Sequence, residues 1–338
     1  MLRVGLIGYG YWGPNLARNL TEADGVELVM LADARPERRH AAERRHPGVK
    51  TCADAAPLIA SGDVDAVVIA TPLATHHALA TAAVNHGKHV LVEKPLAASR
   101  RDAESLASLA ETRGVCLMVD HTFVYTGAVR KIRSLIDAGD LGELLYLDSV
   151  RVNLGLFQQD SNVIWDLAVH DLSVMDYLID ARPVAVSADG TAVAGYDHEN
   201  IAYITVHFDT GFLAHFHVNW LAPVKIRHML IGGSQRMLVF NDMEPSEKVL
   251  VYDKGVDLNL HVEDDQARRQ ILVSYRTGDM YAPKLDRTEA LAGVVCEFAE
   301  AIAQKRAPLT SAESGIRVVS LLEAAEQSLR SEGRRIRL

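Results

Sequence analysis

Up to about residue 120 the chain alternates short, wholly apolar runs with amphipathic stretches. The runs are LRVGLI, VELVML, VDAVVIA, KHVLV and VCLMV. Between them lie stretches such as PNLARNLTEA, THHALATAAVNHG and SRRDAESLASLAETRG. Short continuous apolar strands with helices between them predict a parallel sheet covered on both faces. Gly87 and Gly114 stand where helices must stop. From about residue 143 the period changes. ELLYLDSVRVN, PVAVSADGTAV, IAYITVHFDTGFLAHFHVNW, IRHMLIGG and RMLVFND read as longer strands with one apolar face, hence an open antiparallel sheet. Asp209-Thr210-Gly211 supplies a hairpin turn. Ile204, Val206, Phe208, Phe216 and Val218 form the inward face of that hairpin. Helices are predicted near 166–178, 288–304 and 312–330. The expected fold class is α/β: a doubly wound parallel sheet, then an α/β domain with an open, mostly antiparallel sheet. The boundary falls near residue 122, giving domains 1–122 and 123–338. The closing helices are candidates to pack back on the first domain.

A chain of 338 residues, 49% hydrophobic and 23% charged, is long enough for two such cores. The net charge is −9, and basic residues are scattered among acids, as in ARPERRHAAERRHPG. That excludes the unopposed positive face of a nucleic-acid binder. The run itself reads as a solvated helix face. Cys52, Cys116 and Cys296 have no metal-ligand spacing. Each sits among apolar residues, so buried reduced thiols are expected. No apolar run approaches a membrane span, and a strand beginning at residue 2 leaves no room for a leader. A soluble cytoplasmic protein is expected, with no membrane partner.

The first chemistry lies at Gly8-Tyr9-Gly10-Tyr11-Trp12-Gly13, between a strand and a helix. Gly8 can make the tight turn, Gly10 lets a pyrophosphate approach the backbone, and Gly13 lets helix and strand pack closely. The helix N-terminus then offers free N–H groups to the phosphates. Asp33 ends the second strand, where an acid binds a ribose 2′-hydroxyl and repels a 2′-phosphate. NAD is therefore favoured. Arg35, two residues on, leaves some room for NADP.

Two further segments carry titratable groups. Glu93-Lys94-Pro95 ends a buried strand, and Pro95 disfavours the helical region at Lys94. The lysine then stays at the carboxyl edge of a parallel sheet, where ligands bind. In WDLAVHDLSVMDYL, Asp166 and His170 are four apart and share a helix face. A carboxylate there can orient histidine as a general base. On spacing alone, a surface lysine serves equally well, and a capping aspartate with a satisfied, half-buried histidine is the stronger reading of Asp166 and His170.

Together these motifs resemble the Gfo/Idh/MocA oxidoreductases, a family that includes glucose–fructose oxidoreductase and inositol dehydrogenase. The resemblance rests on the glycine loop, Ala70-Thr71-Pro72, His76-His77, Glu93-Lys94-Pro95 and the D-x-x-x-H of Asp166 and His170. It implies an N-terminal Rossmann domain and a C-terminal substrate-binding domain whose sheet pairs subunits into homodimers or homotetramers. It implies Lys94, Asp166 and His170 as the catalytic trio. It further implies cofactor contacts from Gly8, Gly10, Tyr11, Trp12, Gly13, Asp33, Thr71, Pro72, His76, Glu93 and Lys94. GYWGPNLARN, DHTFVYTGAVRK and LYLDSVRVNLG look most like the NDP-sugar 3-dehydrogenase branch. Thr126-Gly127 departs from the Asn-Pro of close relatives. The expected reaction moves a hydride between the nicotinamide and a secondary alcohol of a sugar or sugar nucleotide. A cyclitol or free sugar is the alternative substrate.

His121, Tyr125, Arg151, Asn153 and Trp165 are candidates for the substrate pocket, because they flank the predicted domain junction and carry donors for sugar hydroxyls. Ordinary inter-domain packing would use the same residues. Arg130, Lys131 and Arg133 could meet a diphosphate, although a solvated helix face is the stronger reading. Among 14 histidines the tightest pair is His215 and His217, with His207 on the same side of the hairpin. No carboxylate or cysteine has suitable spacing nearby, so no metal site is expected. A glycosidase using NAD transiently would carry Gly-Gly-His-Gly, which is absent. A non-catalytic NAD-binding regulator would tend to lose the lysine or the histidine, and both are present.

Overall fold

The computed structural model describes residues 1–155, 161–193, 195–253, 255–258, 273–276 and 278–338. The chain forms two compact units. One holds residues 1–127, 172–176 and 287–323; the other holds 128–171, 177–286 and 324–338.

The first unit is a parallel sheet wrapped by helices. In chain order it contains β1 (Leu2–Ile7), α1 (Gly13–Glu22), β2 (Val26–Ala32), α2 (Pro36–Arg45), β3 (Lys50–Cys52) and α3 (Ala55–Ala60). β4 (Ala66–Ile69), α4 (His76–Asn85), β5 (His89–Glu93), α5 (Arg100–Arg113) and β6 (Leu117–Asp120) follow. The strand order is β3-β2-β1-β4-β5-β6, all parallel. β4 and the end of β1 are buried on both faces, as continuous apolar runs require. α5 shows why such helices start and stop where they do. Ser99 accepts from the Asp102 amide at its N-terminus, and Gly114 closes it in the left-handed region at φ 64°. In α2 only Ala42 is buried, so most of the ERRHAAERRH run is solvated, although its last residue, His46, just past the helix, is buried.

α6 (Gly127–Asp137) leads into β7 (Leu144–Val152). The helix expected near 166–178 begins as a π-helical turn, Ile164–Ala168, and continues as α7 (Val169–Leu178). β8 (Pro183–Thr191), β9 (Ile201–Phe208), β10 (Leu213–Asn219), β11 (Ile226–Gly233), β12 (Met237–Asn241) and β13 (Val249–Tyr252) build most of the second sheet. β14 (Gly255–Leu258) and β15 (Val273–Arg276) pair separately, and β16 (Met280–Tyr281) edges the large sheet. With the last strand of the chain, β17 (Ile336–Arg337), its order is β16-β13-β12-β11-β7-β10-β9-β8-β17, and β7–β10 is a parallel pair in a mainly antiparallel sheet. Ile204, Val206, Phe208, Phe216 and Val218 are all buried, as the alternation requires. Gly211 turns the hairpin at φ 87°.

α8 (Ala290–Gln304) belongs to the first unit, where Leu291, Val294, Val295 and Phe298 join the core of Val4, Leu6 and Leu16. α9 (Ala312–Leu329) and β17 (Ile336–Arg337) close the chain. The expectation of three buried thiols is corrected. Cys52 and Cys116 are half-buried, and Cys296 is exposed. Cys296 lies off the inward stripe of α8, so apolar sequence neighbours do not bury it. No helix among the described residues is long and apolar enough to cross a membrane.

Candidate active site

The strand order sets a row of carboxyl ends side by side. Asp33 follows β2, Gly8 follows β1, Ala70-Thr71 follow β4, Glu93 ends β5 before Lys94, and Asp120 ends β6 before His121. The order reverses direction between β1 and β4, which is where open α/β sheets bind their ligands.

The glycine loop sits at that point. Gly8 has φ +96°, and a Cβ there would lie 2.5 Å from the Ala70 carbonyl oxygen. A Cβ on Gly13 would press into the Gly8 carbonyl oxygen. Gly10 differs, because a Cβ there meets only the guanidinium tip of Arg38, at 2.9 Å. The backbone at Gly10 is thus open to approach by a ligand, and the cradle fits a pyrophosphate. Tyr11 and Trp12 stand exposed beside it with their rings edge to face at 5.5 Å.

Asp33 organises the neighbouring strand end. It is buried, and its Oδ2 accepts the Tyr9 amide at 2.8 Å while its Oδ1 accepts the Arg35 amide at 2.9 Å. Burial works against the charge, but the two amides and the Arg35 guanidinium outweigh it, holding the carboxyl below its ordinary range. Arg35 Nε lies 3.5 Å from Asp33 Oδ1, and Arg39 Nη1 donates to the Asp33 carbonyl at 2.8 Å.

His76 was expected against the cofactor. The structure buries it, with Nδ1 2.9 Å from the Pro95 carbonyl and Nε2 2.9 Å from the Thr71 carbonyl. Burial lowers the imidazole's proton affinity, so the ring is neutral and its single N–H donates to one of these two carbonyls, tying His76 to the Thr71-Pro72 loop or to the Lys94-Pro95 loop. Thr71 is half-buried with its hydroxyl 2.7 Å from that of Thr75, and Pro72 is exposed.

Lys94 is half-buried at the end of β5, before a cis peptide bond to Pro95. Glu93 is buried, and its Oε2 accepts the Lys94 amide at 3.2 Å. In register beside it on β6 is Asp120, 1% exposed. His121 is equally buried, and neither of its ring nitrogens has a hydrogen-bond partner. Burial, helped by the Lys94 charge, pushes the His121 imidazole down to about 3, so it is neutral.

The second unit carries Asp166 and His170, both half-buried. Asn162 starts the π turn: its Oδ1 accepts the Ile164 amide at 3.1 Å and the Trp165 amide at 3.4 Å. Asn162 therefore fills the capping role that could have fallen to Asp166. Asp166 Oδ2 instead accepts the indole N–H of Trp220 at 3.0 Å. His170 lies in the first turn of α7. π turns in α-helices recur at functional sites.

The other expected pocket residues have the following surroundings. Arg151 is 3% exposed and forks onto Asp171, Nε to Oδ2 at 2.7 Å and Nη2 to Oδ1 at 2.9 Å. Its guanidinium is committed to a buried ion pair rather than to a rim. Trp165 is buried and donates to Glu326 at 3.1 Å. The Tyr125 hydroxyl lies 3.0 Å from that of Thr310 in the first unit, and Asn153 is half-buried in the second. Arg133 is held by Asp137 and Asp180, and Arg130 donates to the Tyr177 hydroxyl at 3.0 Å, so both arginines already have partners. His215 and His217 stack on Tyr203, and no group of three His, Cys, Asp or Glu among the described residues is arranged to hold a metal ion. Sequence reasoning missed Asp120, Asn162 and Trp220. Only the adjacency of Asp120 to His121 after an apolar strand could have flagged the first.

A sheet of this order, with a glycine cradle at its switch point and an acid on the next strand, defines a dinucleotide-binding protein. Residues 2–121 match the family model described as "Oxidoreductase family, NAD-binding Rossmann fold", and residues 129–239 match the GFO/IDH/MocA C-terminal domain. The chain belongs to the Gfo/Idh/MocA family of NAD-binding oxidoreductases. It is 28% identical to UDP-N-acetylglucosamine 3-dehydrogenase of Acidithiobacillus ferrooxidans over 94% of each chain. The solved structure of that enzyme superposes with a TM-score of 0.82 at 26% identity, covering 98% of each chain. Two other curated relatives are an uncharacterized oxidoreductase of Streptococcus pneumoniae, 28% identical, and 2,7-anhydro-N-acetylneuraminate hydratase of Mediterraneibacter gnavus, 29% identical. The matches cover 62% and 60% of this chain but only 60% and 57% of those proteins. A dehydrogenase and a hydratase share these similarities, so family membership settles the cofactor before the reaction.

Proposed function

We propose that the protein is an NAD-dependent dehydrogenase that oxidises a secondary alcohol of a sugar nucleotide, at the 3-hydroxyl of an NDP-N-acetylhexosamine. The observation that carries this reading is the similarity to a UDP-N-acetylglucosamine 3-dehydrogenase along 94% of both chains. The row Asp33, Gly8, Thr71 and Lys94 along one sheet edge supports it. NAD, when bound, accepts the hydride. Gly8, Gly10 and Gly13 would hold its pyrophosphate and Asp33 its adenosine ribose. Exposed Tyr11 and Trp12 offer apolar cover beside the loop. Lys94 donates a hydrogen bond to the substrate oxygen and stabilises the charge developing on it. His170 takes the hydroxyl proton, and Asp166, held by Trp220, orients the imidazole.

The test is NADH formation across a panel of UDP-N-acetylglucosamine, its uronic acid and myo-inositol. Turnover on a UDP-sugar that drops by at least about 100-fold in both Lys94→Ala and His170→Ala is the expected result. Turnover on myo-inositol alone would give the cyclitol reading instead. Both variants staying within a few-fold of wild type would overturn the catalytic assignment.

A further inference from the structure

We propose that Glu93 and Asp120 form one carboxyl–carboxylate pair that shares a single proton and positions Lys94 from inside the sheet edge. This rests on the proposed function only for the role given to Lys94. The two acids are register partners at the ends of adjacent parallel strands, so their backbones are about 4.8 Å apart. Glu93 is 9% exposed and Asp120 1%.

The hydrogen-bond inventory of Asp120 is incomplete. Its Oδ1 accepts from the Thr122 hydroxyl at 2.6 Å. Its Oδ2 is buried with no donor. Two ionised carboxylates side by side without water are held apart by desolvation and by each other. One proton between them removes a charge and supplies the missing donor. Burial, with the Asp120 charge second, raises the Glu93 carboxyl well above its ordinary value. Asp120 is pushed up to about 6 by burial, with Thr122 and Lys94 opposing. At neutral pH the pair then carries one proton and one negative charge, which faces the Lys94 ammonium. The other titratable groups bearing on this corner are neutral His121 and Tyr125 after β6, and His76 against the Pro95 carbonyl. None of them supplies a second positive charge to balance a doubly ionised pair.

Infrared spectra of the full chain, without substrate, read the proton directly. Wild type at neutral pH should show the C=O stretch of a protonated carboxyl, shifting in D2O. Glu93→Gln and Asp120→Asn should each abolish it. A missing band in wild type, or a band retained in either variant, overturns the shared proton. Positioning is read from kcat against pH on the substrate that turns over. Wild type should lose activity through a limb near pH 6, as the pair becomes neutral, and Asp120→Asn should remove that limb. The same variant should lower kcat by about 10-fold or more with the KM for NAD within about threefold. An unmoved limb or an unchanged kcat overturns positioning. A band that behaves as stated in a protein turning over no substrate leaves the pair standing and sinks the dehydrogenase reading.

Discussion

The indole N–H of Trp220 donates to Asp166 Oδ2 at 3.0 Å, linking the end of β10 to the π turn that precedes α7. Trp220 is almost fully buried, and its Cδ1 comes within 3.1 Å of where a Cβ on Gly155 would sit. Trp220→Phe keeps most of the apolar volume and removes the donor. The expected cost is about 2 kcal/mol, measured by denaturant unfolding, because a hydrogen bond to an acid is lost without replacement. If Asp166 orients His170, kcat should fall between about 10- and 100-fold. NAD affinity should not change, since the glycine loop lies elsewhere in the chain.

The three loop glycines separate binding from folding. Gly10→Ala places a methyl beside the movable tip of Arg38 only. Its stability should stay within about 0.5 kcal/mol of wild type. NAD should nevertheless bind at least about 10-fold more weakly, because the methyl occupies the space the pyrophosphate needs. Gly13→Ala forces a methyl against the Gly8 carbonyl. It should lose about 1–3 kcal/mol of stability as well as affinity. Denaturant unfolding and NAD titration of both variants decide this, and equal stability losses would refute the distinction.

Much of this was legible in the sequence, for identifiable reasons. β4 and β5 are short and buried, so their apolar runs are unbroken, and Gly87 and Gly114 mark helix ends through positive φ. The hairpin of β9 and β10 follows strict alternation. β3 was missed because KTC carries no apolar period, and it survives by pairing with Met30–Ala32. At the site, Gly8, Gly13 and Asp33 announce themselves through local rules of turn and strand end. The partners of Arg151, Trp165 and His76 were not legible, because donor chemistry does not reveal a partner far along the chain. Asp171 and Glu326 take the first two donors, the Pro95 carbonyl lies against the His76 ring, and only tertiary packing brings them within reach.

Asp33 is the residue proposed to set cofactor choice. Its carboxylate would face a 2′-phosphate, and Arg35 and Arg39 are held to it or to its backbone. Asp33→Asn removes the charge and frees Arg35. The ratio of kcat/KM for NAD over NADP should fall by about 10-fold or more. Using the ratio cancels any general loss from the weakened Tyr9 and Arg35 amide bonds. An unchanged ratio would place the ribose away from Asp33.

His121 predicts a pH dependence of stability with a definite sign. Its folded imidazole is pushed down to about 3, against an ordinary value of 6.5. A lowered histidine is neutral in the native state and takes up a proton on unfolding. Its contribution is present above about pH 6.5 and is lost as pH falls toward 3. Between about pH 7.5 and about pH 5 this amounts to roughly 2 kcal/mol. Glu93 and Asp120 are raised and act with the opposite sign, favouring the native state as pH falls. The comparison must therefore be made between variants. His121→Phe breaks no hydrogen bond to a ring nitrogen, since neither has a partner. It should be at least as stable as wild type at pH 7.5. Relative to wild type it should gain about 2 kcal/mol more at pH 5, by denaturant unfolding at both values. A variant whose difference from wild type is the same at the two pH values would mean that His121 already carries its proton in the native state.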